Sequence, residues 1–369
     1  MLTRVGLIQG PISPKEILNV GLNMIGNSRK NCLHKRHRCF LDHFGCAPEI
    51  ASSLWIRIKL NKTSDVPAQA RPQHLLWALL FMKVYSTESV LCSLCGGIDE
   101  KSFRKWKRIF IIEIAKLAPS EVRFNVYYFN FIVKKIVCLL IILLSFFNFL
   151  KIRWENRKRG AKGSICMVTV DGTDFRVKLV KGFWKKYWSH KFHSPGLRYE
   201  VAISIAMGEI VHINGPFPCG EYNDIKIFRM GLKKKLKLGV ERVEADDGYM
   251  GERFFVERPK DGCMHHKIQG FGLNQPCPGC MQHFSKQRIR SRQETCNKRF
   301  KQWGILNQRY RHDLKFHGSV FTAIATITQI DIRSGKGLFY CAEYKTQEST
   351  ARAALNRKIA RRSNDPRVK

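Results

Sequence analysis

The chain has 369 residues, 65 of them Lys or Arg against 29 Asp or Glu, for a formal net charge of +36. That length accommodates a large and a small domain, and a hydrophobic content of 44% fills a real core, so the composition favours a globular protein over a disordered one. The positive excess directs the chain to polyanions: nucleic acid first, because each neutralised phosphate releases a condensed counterion, and an anionic membrane surface second.

Thirteen cysteines, an odd number, sit mostly singly in apolar segments and no secretory signal stands at Met1, which reads as a reduced, intracellular protein. Of two CxxC pairs, Cys92–Cys95 falls on an expected helix, where helical spacing accounts for it. Cys277–Cys280 stands in the turn QPCPGC near Cys263, His265, His266 and His283. That cluster is richer in potential zinc ligands, but its spacings fit no zinc module.

Residues 1–70 show scattered Gly, Pro, Lys and His with weak periodicity and read as a basic N-terminal arm, whose run Arg29–Arg38 resembles a nuclear-import or phosphate-contact patch. Residues 71–121 turn helical. QHLLWALLFMKVY repeats apolar residues at helical spacing, Ser86 or Thr87 caps a short second helix through Cys95, and Gly96-Gly97 ends it. Asp99 caps a third helix with Ile98, Phe103, Trp106, Ile109 and Phe110 inward and Lys101, Arg104, Lys105, Lys107 and Arg108 exposed. This is the pattern of a helix-turn-helix, in which Arg104, Lys105 and Arg108 would meet DNA.

Residues 122–151 differ from their surroundings: no Asp, Glu, Gly, Ala, Pro or Thr lies between Arg123 and Lys151, and the apolar run Ile136–Leu150 is bounded by lysines. That 15-residue stretch falls short of the roughly 20 residues of a membrane span, and a buried core helix is a second reading. The preferred reading is translated intron, because residues of AT-rich codons predominate and the boundaries can be written as splice signals.

From 152 to 345 strand-like and helix-like runs alternate, indicating α/β. SICMVTVDGTDFRV holds a β-rich run ending at Asp171, then a Gly-Thr turn and a second short strand. RYEVAISIAM and EIVHINGPF are two further strands, NDIKIFRMGLKKKL a helix capped by Asn223, and VERVEADDGY a strand reaching Asp246. A helix covers Gln293–Trp303, SVFTAIATITQIDIR is a last core helix, and 346–369 is a basic tail.

Cutting a phosphodiester requires charge neutralisation around phosphorus and an activated water or 3′-hydroxyl, which two divalent ions held by a few carboxylates provide. Asp171, at a strand end, suits a ligand, though an Asp can simply stabilise a DGT turn. Asp246 or Asp247 is the second candidate. Glu294 opens a helix whose inward face is Cys296, Phe300 and Trp303, leaving it beside Asn297, Lys298 and Lys301 as either a ligand or half of a surface pair with Lys298.

VDGTDF, GLRYEVAISIAMGEIVHINGPFPCGEYNDIKIFR, EADDGY and RSRQETCNKRFKQWGIL together resemble the successive motifs of DDE superfamily endonucleases of the PIF/Harbinger transposase type, over Trp154–Tyr344. Pro72–Ile112 resembles the helix-turn-helix that precedes that core. The resemblance implies an RNase H-like mixed sheet flanked by helices, with Asp171, Asp246 and Glu294 as the catalytic metal ligands for two Mg²⁺ or Mn²⁺ ions. It gives Asp174 and Asp224 supporting roles and makes Lys298, Arg299, Lys301 and Arg311 phosphate contacts. It further implies cutting and joining of DNA at transposon ends and a Myb-like partner protein; DNA function and the basic runs point to the nucleus, and whether the chain forms a homo-oligomer is left open by the sequence. Two rival readings stand beside it: a decayed or domesticated transposase that binds DNA without cutting, and a membrane-associated basic protein resting on Ile136–Leu150 and the charge.

Overall fold

The computed structural model describes residues 11–26, 32–122, 165–179, 185–205, 207–236, 241–252, 255–257 and 278–338. Nearly all of the 122–151 insertion, the Cys263/His265/His266/Cys277 cluster and the 346–369 tail lie outside the described residues. Of Cys280 and His283 only the backbone is described.

The sheet is mixed and curled. Strand β1 (Ile165–Arg176) pairs antiparallel with β3 (Ser194–Ser204), which pairs antiparallel with β4 (Ile210–Pro218) and, at its first residues, with the short β2 (Trp188–Ser189). On its other side β1 pairs parallel with β5 (Glu241–Glu244), and β5 with β6 (Val256–Glu257). Alternation along β1 and β3 sends side chains to two cores. Val168, Val170 and Ala202 meet Phe228, Leu232 and Tyr249 below the sheet, where α8 (Asp224–Met230) lies. Phe175, Tyr199, Val201 and Ile203 face the opposite, larger core.

That larger core is closed by α9 (Pro278–Lys301), α10 (Gly304–Asn307) and α11 (Leu314–Arg333), and continues without a break into the N-terminal helices. Phe321 of α11 stacks on Tyr199 at 3.9 Å and meets Phe300 and Phe175 at 5.4 and 5.5 Å. The Tyr199 hydroxyl shares a hydrogen bond with His317 Nδ1 at 2.6 Å, satisfying two polar groups inside an apolar layer.

Residues 11–26 and 32–70 depart from the expected arm. They form α1 (Pro14–Met24), α2 (Leu33–Phe44) and α3 (Pro48–Leu60), with Ile17, Leu22, Phe40, Phe44, Leu54 and Trp55 buried. A complete capping box, Ser13 with Glu16, and Pro14 in the first turn start α1. The basic residues of α2 ride on its outer face, hiding its periodicity in the sequence.

The helices expected from 71 onward are present: α4 (Pro72–Val84), α5 (Glu88–Leu94, capped by Thr87) and α6 (Glu100–Ala115, capped by Asp99), with Gly96 and Gly97 both at positive φ in the turn between the last two. A short α7 (Ala118–Glu121) follows. Helix α4 is buried from Leu75 through Met82 and touches α1, α2, α3, α6 and α10. Lys107 differs from its expected exposure: it is buried, its ammonium sits 3.6 Å from the Phe81 ring centroid, and it pairs with Glu88. Helix α11 is wedged between β4 and α6, and Arg333 at its end binds Glu209 at 2.8 Å and Glu121 at 3.1 Å. Helices and sheet therefore share one core. None of the helices among the described residues is long and apolar enough to cross a membrane.

Because Phe321 fills the junction of three layers, Phe321→Ala should cost about 3–5 kcal/mol. Urea unfolding should show the loss as a lower midpoint with an unchanged slope.

Candidate active site

Strand β1 runs straight through the VDGTDF motif. Asp171 pairs with Val201, Gly172 with Glu200 and Asp174 with Arg198, so DGT is not a turn and Asp171 is in mid-strand. The expectation of a strand end fails because the glycine serves another purpose. A Cβ at position 172 would overlap Asp224 Oδ1, and one at Gly248 would sit 3.0 Å from Asp246 Oδ1 and 3.1 Å from Asp224 Oδ2. Both glycines make room for carboxylates.

Asp171 and Gly172 point to opposite faces, and each face supplies an acid. On the upper face Asp171 accepts a hydrogen bond from Asn297 Nδ2 of α9 at 2.8 Å. The helix is stitched to the sheet one turn earlier: Thr169 Oγ1 donates to Gln293 Oε1 at 2.6 Å, and Gln293 Nε2 donates to the Val201 carbonyl at 3.0 Å. That fixes the next residue, Glu294, at the lip of a cleft also lined by Asp171, Asp246, Glu244 and Arg290. Asp246 lies two residues beyond β5, where its Oδ1 accepts from the Gly248 N–H at 2.9 Å and caps the short turn Asp247–Tyr249. The side chain selected between Asp246 and Asp247 is thus the one facing the cleft.

On the lower face Asp224, the first residue of α8, is brought under Gly172 by the Asn223 cap, which accepts from Lys226 N. Asp224 Oδ1 is buried without a hydrogen bond, 3.4 Å from Arg198 Nη1. Arg198 is spent mainly on Asp174, with contacts of 2.6 and 2.9 Å, and Ser189 Oγ donates to the same carboxylate at 2.7 Å. Burial would raise the Asp174 carboxyl, but these hydrogen bonds and the Arg198 charge outweigh it and hold it below the ordinary value. Asp174 is a fixed structural anion. Asp224 is not: burial, with Asp246 and Asp174 nearby, pushes its carboxyl up against the opposing pull of Arg198. Burial, then Asp246 and Asp224, raise the Asp171 carboxyl to about 6. Glu200, buried opposite Gly172 on β3, is pushed up to about 8 by burial and then by Asp224.

The sequence-predicted acids Asp171, Asp246 and Glu294 therefore line one cleft. Among the described residues, however, no three His, Cys, Asp or Glu side chains converge closely enough to hold a metal ion as they stand. The donor set is all oxygen and its negative charges crowd one another, which fits a hard divalent cation better than a soft one. Sequence reasoning understated Asp224; its signal is the pair of glycines whose missing side chains it occupies.

The predicted cationic contacts divide. Lys105, Arg108 and Lys298 are exposed, while Arg104 is exposed but paired with Glu88 at 2.6 Å and Glu100 at 3.6 Å. Lys301 is half-buried at the end of α9. Arg299 donates to the Lys336 and Gly337 carbonyls at 2.7 and 3.2 Å, and Arg311 donates to the Tyr85 carbonyl at 2.8 Å while lying over its ring. Those two are occupied in joining elements. Comparison with protein-family models, curated proteins and solved structures finds no match to this chain.

Two outcomes follow from the crowded acids. The Asp171 carboxyl is raised on folding, so its contribution to stability is full below about pH 4 and is lost as pH rises through about 6. Asp171→Asn should be more stable than the wild type at pH 7.5, by on the order of 1–3 kcal/mol, with the gap closing at pH 4 in chemical denaturation. Gly172→Ala should destabilise the protein, and a double-mutant cycle with Asp224→Ala should return a coupling of about 0.5–3 kcal/mol; additive losses would contradict the close approach.

Proposed function

We propose that the chain is a metal-dependent DNA endonuclease of the DDE transposase type, on an RNase H-like sheet. The carrying observation is that Asp171, Asp246 and Glu294, far apart in sequence, line a single cleft from β1, the end of β5 and α9. A mixed sheet with antiparallel and parallel strands and helices on both faces suits that fold, and the +36 charge suits a polyanionic substrate. The α5–α6 pair, joined by its diglycine turn and presenting Lys105 and Arg108, suits a helix-turn-helix contact with DNA, built onto the core rather than tethered to it.

On this reading Asp171, Asp246 and Glu294 hold two Mg²⁺ or Mn²⁺ ions, which when bound neutralise the phosphate and activate a water or a 3′-hydroxyl. Asn297 keeps the Asp171 carboxylate oriented toward the cleft, and the Thr169–Gln293–Val201 hydrogen bonds keep Glu294 in register with it. Asp224 lies behind the pair, where its charge strengthens their hold on cations. Nuclear location, a Myb-like partner and self-association belong to the same proposal.

The test is nicking of supercoiled plasmid carrying the element's own terminal repeats, by protein with and without residues 122–151, in Mg²⁺ or EDTA. Nicking should require Mg²⁺ and fall by at least about 10³-fold in Asp171→Ala, Asp246→Ala or Glu294→Ala, since each lost ligand removes several kcal/mol of charge stabilisation. DNA affinity should change little. Salt-sensitive binding with no nicking in any form would instead make the chain a DNA-binding relic.

A further inference from the structure

We propose that Arg176 and Lys301, which flank the ring of Phe192, form together with the neighbouring Lys191 a subsite for the phosphodiester backbone of a nucleic-acid strand that reaches the acid cleft. The inference rests on the nuclease reading and names where that substrate is gripped. Arg176 ends β1, Lys191 and Phe192 occupy the turn between β2 and β3, and Lys301 ends α9, so three separate elements deliver the cluster. The Arg176 guanidinium carbon lies 4.8 Å and the Lys301 ammonium 5.8 Å from the Phe192 ring centroid. The next residue, His193, has a φ of 48°, a conformation that non-glycine residues adopt rarely and that fixes the turn.

Cations are ordinarily positioned by carboxylates, which cancel their charge. Here an aromatic face positions two of them and leaves the charge intact. Among the described residues none of the three lies within 4.0 Å of a carboxylate. Burial, and after it the nearby Lys191, hold the Lys301 ammonium below its ordinary value against the opposing pull of Asp174 and Asp171. On α9 Lys301 stands seven residues beyond Glu294, two turns along the same face of the helix. An anion seated on the cationic cluster therefore lies next to the acids. A polymer with regularly spaced phosphates can place one there and present its neighbour to the cleft.

The experiment measures binding of a fluorescein-labelled single-stranded 20-mer by anisotropy, in EDTA so that nothing is cut, from 50 to 200 mM KCl. Lys191→Gln and Lys301→Gln should each weaken binding several-fold and lower the salt slope by about 0.7. Lys191→Arg should keep both near wild type, and Lys62→Gln, on the outer helical layer, should change neither. Phe192→Leu should weaken binding by loosening both cations, with its melting temperature checked alongside. Wild-type affinity and slope in the triple Arg176→Gln/Lys191→Gln/Lys301→Gln variant would overturn the subsite even if the wild type nicks DNA in Mg²⁺. Loss of strand binding in the triple variant from a protein that never nicks would uphold the subsite and sink the nuclease reading alone. Inorganic phosphate that displaces the strand beyond the effect of KCl at equal ionic strength, through the same three residues, would make this a small-anion site and overturn the nucleic-acid assignment.

Discussion

Carboxylates buried beside one another repel, and a protein keeps such an arrangement only by supplying protons, cations or fixed donors. Asp171, Asp224 and Asp246 live under that constraint, and much of the surrounding structure answers to it. Glycines stand at 172 and 248 because acids take the space of their side chains. Asn297 offers an amide to Asp171, and the Gly248 N–H does the same for Asp246. Arg198 is divided between Asp174, which it holds firmly, and Asp224, which it reaches only at 3.4 Å. The balance leaves charge unrelieved at one place, and a cation-dependent chemistry there would use that imbalance directly.

The same constraint gives the two flanks of the cleft opposite character. Acids from β1, the end of β5 and α9 line the cleft, with Asp224 of α8 behind them; Arg176 and Lys301 flank the Phe192 ring, next to Lys191 in the chain. A phosphodiester needs both: cations for its non-bridging charge and acids to recruit metal at the bond to be broken. The hydrogen-bonded seam of Thr169, Gln293 and Val201 lets a helix and a strand distant in sequence hold a common geometry.

Much of this was legible in the residues. Caps at Thr87, Asp99 and Asn223 mark helix starts because a short polar side chain before an apolar-periodic run has few other uses. The strand pattern of β3 and β4 follows from β-branched runs broken at Met207-Gly208. The reading of DGT as a turn failed because glycine as a turn residue and glycine as a gap for a neighbour's carboxylate look alike in one dimension. The N-terminal helices were hidden because the first two turns of α2 are almost wholly Lys, Arg and His, and the partners of its buried Cys39, Phe40 and Phe44 are supplied by other elements. Lys107 was placed outside because its burial depends on Glu88 and the Phe81 ring, neither of which shares its helix. Asp224 was underweighted since its role depends on what is missing from two other positions.

One feature of the packing bears on how the chain is made. Helix α4 is apolar on every side, and the α6 surface that helps enclose it leans on α11, whose residues are among the last of the described chain to be synthesised. On the ribosome α4 can pack early against α1, α2, α3 and α6, but the faces that α10 and α11 cover stay open until the far end of the chain arrives. The connectivity thus makes closing of the helical layer a late event, completed by the segment that emerges last among the described residues.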